Sequence, residues 1–180
     1  MTPKKQTRRD PRPVTSHESR VTAFVGLGSN LDDPPARIRR ALQALAALPG
    51  TQVVRRSSLY RNPPVGDPDQ PDFVNAVAEI ETGLAPRELL DSLLEIERAQ
   101  GRVRDRPAGP RTLDLDLLLY GGRIVHEPGL TIPHPRMLGR AFVLVPLAEI
   151  APEAVVPGRG RIAELVRNAD TSGMIKLAEA

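Results

Sequence analysis

Apolar residues fall into short runs separated by proline, glycine and charge, and the spacing within each run shows which element it builds. VTAFVGLG, residues 21–28, is a brief apolar run that predicts a buried strand ending in small residues. Asp32-Asp33-Pro34-Pro35 is a helix-start signal, because a carboxylate can cap free N–H groups and proline fits the first turn. Ile38, Leu42, Leu45 and Leu48 then recur at helical spacing until Pro49-Gly50. Thr51 to Tyr60 predicts a second strand. Phe73 to Thr82 predicts a third, with Phe73, Asn75, Val77 and Glu79 on one face and Val74, Ala76, Ala78 and Ile80 on the other. Pro86 to Gln100 predicts a helix carrying Leu89, Leu90, Leu93 and Ile96, and Gly101 stops it. TLDLDLLLY, residues 112–120, predicts a fourth strand, followed by a hairpin around Gly121-Gly122. A helix from about Arg140 and a short one from Ile162 to Asn168 complete the pattern.

The order strand, helix, strand, strand, helix, strand predicts an α+β fold, a ferredoxin-like βαββαβ two-layer sandwich with an antiparallel sheet and C-terminal additions. One sheet face carries the helices. The other is left for a ligand or for long loops. A chain of 180 residues suits one such domain, placed at residues 21–180. Residues 1–20 hold six basic residues against two acidic ones, a net +4, while the remainder is close to neutral at −1. That tail is poor in apolar residues, so it is expected to be a disordered, solvated extension and not a nucleic-acid-binding arm.

Composition narrows the chemistry. The chain has no cysteine, which excludes disulfides, iron–sulfur clusters and thiolate zinc sites, and a cytoplasmic location is expected. No apolar run reaches the roughly 18 residues of a membrane span, so no membrane partner is expected. Three scattered histidines offer no transition-metal site.

The candidate chemistry lies at the fourth strand. Leu113, Leu115, Leu117 and Leu119 alternate with Asp114 and Asp116, so the leucines are expected in the core and both carboxylates on the opposite face, roughly 6.5 Å apart. Paired carboxylates suit Mg²⁺, a hard cation that keeps waters which phosphates can replace, and two such ions could bridge ATP. Arg102, Arg104, Arg106 and Arg111 lie just upstream among glycines and prolines, and arginine grips phosphate with a forked geometry. Together these residues predict phosphoryl-type transfer, which depends on positioning and charge neutralisation. No general base stands out. Gly26-Leu27-Gly28 lacks the third glycine of a dinucleotide fingerprint and is expected to form a tight strand-to-helix turn.

Six blocks in order resemble one family. They are GLGSNL (26–31), SSLYRNPPVG (57–66), DQPDFVNAV (69–77), IERAQGRVR (96–104), GPRTLDLDLLLYG (109–121) and LTIPHPRMLGRAFVLVPLAEIAP (130–152). The chain resembles the 6-hydroxymethyl-7,8-dihydropterin pyrophosphokinases over about residues 22–157. The resemblance implies a monomer that transfers diphosphate from ATP to the hydroxymethyl group of the pterin, releasing AMP, in folate synthesis. It implies Asp114 and Asp116 as ligands of two Mg²⁺ ions, with Arg102 and Arg111 also catalytic. ATP contacts are implied for Glu97, Arg102, Arg104, Arg111, Leu117, Thr131, His134 and Arg140. Pterin contacts are implied for Asn62, Pro63, Val65, Phe73, Asn75 and Phe142, the two phenyl rings stacking on either side of the ligand. One departure is Pro107-Ala108, where a basic residue and a bulky aromatic often stand. Two other readings of the same residues are a non-catalytic ferredoxin-like ligand-binding module and a metal-dependent phosphohydrolase.

Overall fold

A computed structural model describes residues 19–102 and 109–180. The tail as far as residue 18 and the loop segment 103–108, which carries Arg104, Arg106 and Pro107-Ala108, lie outside the described residues.

The chain runs β1 (Val21–Ser29), α1 (Pro34–Ala46), β2 (Thr51–Arg56), β3 (Ser58–Asn62), β4 (Phe73–Thr82), α2 (Pro86–Ala99) and β5 (Asp114–Tyr120). Two hairpin strands, β6 (Val125–Glu127) and β7 (Leu130–Ile132), precede α3 (Ala141–Ile150). Then come β8 (Val155–Val156), β9 (Gly160–Arg161), α4 (Ile162–Leu165) and β10 (Ile175–Glu179). The main sheet has the order β10-β3-β4-β1-β5, with β2 also pairing to β4, and every pairing is antiparallel. This is the expected ferredoxin-like sandwich.

Capping explains the helix starts. Asp33 caps α1 by accepting from the Ala36 N–H at 3.2 Å, and Pro34 occupies the first turn. Glu88 performs the same service for α2 by accepting from the Ala85 N–H at 2.8 Å. Ile38, Leu42, Leu45, Leu89 and Leu93 point from these helices into a core against Ala23, Val25 and Leu27 of β1 and Leu115 and Leu117 of β5. The opposite sheet face holds a second, smaller core. There α3 packs Val143, Leu144 and Leu147 against Phe24, Val77 and Leu118. Because α3 covers only part of that face, the rest remains available for a cleft.

Several expectations need correction. The predicted second strand breaks in two at Ser57, whose hydroxyl accepts from the Val77 N–H at 2.9 Å. The hairpin after β5 turns at Pro128-Gly129, where Gly129 has φ +73°, and joins β6 to β7; Gly121 only ends β5. Leu119 belongs to the second core and not to that of Leu115 and Leu117, because a register shift between Phe24 and Val25 interrupts the alternation. Gly26 and Gly28 lie inside β1 and form no turn. The edge strand β10 carries no strong strand pattern and was not predicted.

Candidate active-site cleft

The open half of the second sheet face is a cleft of about 820 Å³. Its floor follows from strand register. Asn75 of β4, Gly28 of β1 and Asp114 of β5 form one row across the sheet, and Val77, Gly26 and Asp116 form the next. Side chains in a row share a face, and neighbouring strands are about 4.8 Å apart, so Asn75 and Asp114 are separated by roughly 10 Å of backbone floor. Glycine is required in the first row: a Cβ on Gly28 would stand 2.7 Å from Asn75 Oδ1. The GLGSN block therefore shapes a surface by leaving side chains out.

The two acids lie at one end, each facing basic side chains. Arg102 donates to Asp114 Oδ1 at 2.7 Å, and Arg111 holds the other oxygen. Arg140 Nη1 lies 3.4 Å from Asp116 Oδ2, and His134 Nε2 lies 3.6 Å from Asp116 Oδ1. Burial pushes the Asp116 carboxyl up, but His134, Arg140 and Arg111 outweigh it and hold the group below the ordinary carboxylate range. Burial works against the charge on Arg140 too, reinforced by Arg136 and opposed by the two acids. The Arg111 loop is tied to the body of the protein by Asn30, whose Oδ1 accepts from the Arg111 N–H at 2.8 Å. The Ser29 hydroxyl donates to the Thr112 carbonyl at 2.6 Å.

The other end is neutral and aromatic. Phe73 and Phe142 both line the cleft, Phe73 from the start of β4 and Phe142 from the first turn of α3. Asn75 donates to Asn62 Oδ1 at 2.6 Å, and Asn62 donates to the Pro63 carbonyl at 2.9 Å, which fixes the orientation of both amides. Pro63 and Val65 form part of the rim, with Val65 71% exposed. Arg140 connects the two ends, its guanidinium lying 5.5 Å from the Phe142 ring centre while it also faces Asp116.

Other expected residues fall elsewhere. Glu97 is buried beneath the floor, where its Oε1 accepts from the Leu115 N–H at 2.7 Å and pairs with Arg102. Burial raises its pKa despite those partners. Its side chain supports Arg102 and does not reach the cleft. Leu117 sits in the core between sheet and helices, as its alternation with the acids predicts, and its side chain does not face the cleft. Thr131 lies in β7 opposite His126 and is not among the cleft residues, and Arg104 is outside the described residues.

Some cleft residues were missed. Gly26 and Gly28 had a readable signal, since glycines alternating inside a strand pattern mark close approach. Arg136 was visible only as part of the LTIPHPRML block. Asp170, Ser172 and Met174 had no signal, because they arrive from a C-terminal segment without a pattern.

The profile of the family described as 7,8-dihydro-6-hydroxymethylpterin-pyrophosphokinase (HPPK) matches residues 24–152. A 2-amino-4-hydroxy-6-hydroxymethyldihydropteridine pyrophosphokinase of Haemophilus influenzae is 52% identical over 157 residues, covering 87% of this chain and 98% of the relative. One of the same name from Synechocystis is 46% identical, covering 87% of this chain and 80% of the relative. Among solved structures, a Plasmodium falciparum HPPK-DHPS triple mutant with pteroate superposes with a TM-score of 0.69 at 13% identity, over 90% of this chain. The chain spans only about half of that protein, 47% of its length, and the likeness there is one of fold. The chain is thus a diphosphate-transferring kinase built on a ferredoxin-like sandwich. It belongs to the 7,8-dihydro-6-hydroxymethylpterin-pyrophosphokinase family.

Proposed function

We infer that this pyrophosphokinase carries out its reaction, transfer of diphosphate from ATP to the hydroxymethyl group of 6-hydroxymethyl-7,8-dihydropterin in folate biosynthesis, in the cleft above Gly28. The observation that carries this reading is the row Asn75–Gly28–Asp114. It sets an amide-and-phenyl subsite beside a charged one on a floor that no side chain interrupts.

The triphosphate fits the charged end. Arg102, Arg111 and Arg140 offer forked donors, and His134 adds a further N–H. Asp114 and Asp116 are the residues that would hold Mg²⁺, taken here as two ions. Among the described residues no group of three His, Cys, Asp or Glu forms a protein-only cage. A pair of carboxylates that leaves positions to water and phosphate oxygens suits Mg²⁺. When bound, the metal supplies charge neutralisation on the phosphates.

The pterin fits the neutral end. Its flat ring lies between Phe73 and Phe142, and Asn75, oriented by Asn62, reads its amide edge. Pro63 and Val65 close the rim. The hydroxymethyl oxygen then attacks the β-phosphorus, the bond from that phosphorus to the α,β-bridging oxygen breaks, and AMP leaves. The hydroxyl proton passes to the phosphate and solvent environment, since Asp114 and Asp116 are committed to cations. The chain's contribution is orientation and electrostatic stabilisation of the transferring group.

Chromatography for AMP, with and without hydroxymethyl-dihydropterin, tests the reading. AMP is expected only when both substrates are present. Phosphate release from ATP alone would point to a hydrolase, and MgATP binding without turnover would point to a binding module.

A further inference from the structure

The family profile matches as far as residue 152, and part of the cleft wall comes from chain that follows it: Asp170, Ser172 and Met174 line the cleft.

Strand pairing and an ion pair hold this segment in place. β10 pairs antiparallel with β3, setting Lys176 opposite Tyr60 and Ile175 opposite Arg61, immediately beside Asn62. Lys176 Nζ lies 3.7 Å from Glu149 of α3, the same carboxylate that accepts from the Ser58 hydroxyl at 2.7 Å and the Tyr60 hydroxyl at 2.5 Å. Strand β10, strand β3 and helix α3 are therefore fastened at one point. The turn before β10 rests on the rim: Gly173 has φ +75°, and a Cβ there would stand 3.0 Å from Pro63 Cγ. Its own bonds shape it, with the Ser172 N–H donating to Asp170 Oδ1 at 2.9 Å and the Met174 N–H to the Thr171 carbonyl at 3.0 Å.

These contacts seat the turn at the amide end of the cleft, through Pro63 and Asn62, and not at the arginine end. Its chemistry suits that place. Met174 is half-buried, and an unbranched thioether adapts its shape to a flat ring. Asp170 brings a negative charge, which opposes a polyanion and tolerates the N–H groups of a neutral heterocycle. Hydrogen bonds from Ser172 hold that carboxyl below its ordinary range.

We propose that the Asp170–Met174 turn is a specificity-determining wall of the acceptor subsite, with Met174 packing on the bound dihydropterin and Asp170 keeping anionic ligands out of that end. This rests on the assignment of the cleft's neutral end to the pterin. Steady-state kinetics on the full chain test it, using Met174→Ala and the volume-conserving Met174→Leu. Hydroxymethyl-dihydropterin and an analogue bearing an extra alkyl group on the ring serve as acceptors. Met174→Ala is expected to raise the acceptor KM about tenfold, to leave the ATP KM unchanged and to narrow discrimination against the larger analogue, while Met174→Leu stays near the parent. Phe142→Ala, measured alongside, separates the two assignments. If Phe142→Ala raises the acceptor KM and Met174→Ala does not, the wall is disproved and the pterin end stands. If neither moves it, both assignments fail. Equal rises in both KM values for Met174→Ala would mean a general loss of structure and would also overturn the proposal.

Discussion

Asp114 faces Arg102 and Arg111, and Asp116 faces Arg140 and His134, so removing either carboxylate has two separate consequences. It deletes a candidate metal ligand, and it leaves the facing arginines without their counter-charge in a partly exposed cleft. Asp114→Ala or Asp116→Ala should lower AMP formation by about 10²–10³-fold or more. Thermal unfolding should show the fold intact, because neither side chain belongs to a core. Wild-type turnover in either variant would refute the assignment. Gly28 gives a sharper test of the floor. Gly28→Ala must displace Asn75 Oδ1, so the pterin KM should rise about tenfold or more while the ATP KM changes less. Equal KM values for parent and variant would mean that Asn75 does not read the acceptor. Phe142→Ala should likewise weaken pterin binding more than ATP binding. At this scale the sequence was informative wherever chemistry followed alternation, as it did for Asp114 and Asp116 or for Phe73 and Asn75. It misled at Leu119, where a register shift against β1 that no local pattern announces carried the side chain into the second core.

Glu149 governs a junction of elements. It holds the Tyr60 and Ser58 hydroxyls and Lys176, so it links α3 to two strands of the sheet edge. Burial would raise its pKa, but the Tyr60 and Ser58 hydrogen bonds and the charge of Lys176 prevail and hold it below the ordinary carboxylate range. A depressed carboxyl stabilises the folded state above its unfolded pKa, and that stability disappears as pH falls through the folded value. Glu149→Gln should therefore lose less stability than the parent between about pH 5 and 3, read from denaturation midpoints across pH. At neutral pH Glu149→Ala should lower the thermal midpoint by roughly 2–12 °C, since it strips partners from two hydroxyls. An unchanged acid limb in the Gln variant would show that Glu149 is not the linking group. Helix positions were legible because caps and apolar periodicity are local signals, as at Asp33 and along Leu89, Leu93 and Ile96. The break at Ser57 and the strand β10 were not, since each depends on partners distant in sequence: Val77 for the first and β3 for the second.

Across the whole molecule, opposite demands are separated in space. One sheet face is committed to the core under α1 and α2, and the other is shared between α3 and the cleft, so the site costs little of the main core. Dialysis against a chelator should abolish AMP formation and added Mg²⁺ should restore it; turnover that survives exhaustive chelation would refute the metal assignment. Among the described residues the exposed large apolar side chains include Val54 of β2, Ile124 before β6, Val155 of β8 and Ile175 of β10; sedimentation tests the expectation of a monomer, and a mass above that of a single chain would refute it. The element order made the sandwich readable in advance. The half-covered second face was not, because no local pattern indicates how far a helix will shield a sheet.

The glycine floor also bears on inhibition. A compound resting on Gly26 and Gly28 touches main chain that every variant must keep. Substitution at either residue can only add atoms, and at Gly28 the added atom collides with the side chain proposed to recognise the natural acceptor. Resistance arising there would impair the enzyme's own reaction, so ligands built to lie flat on that strip should be harder to evade than those that depend on the rim around Val65.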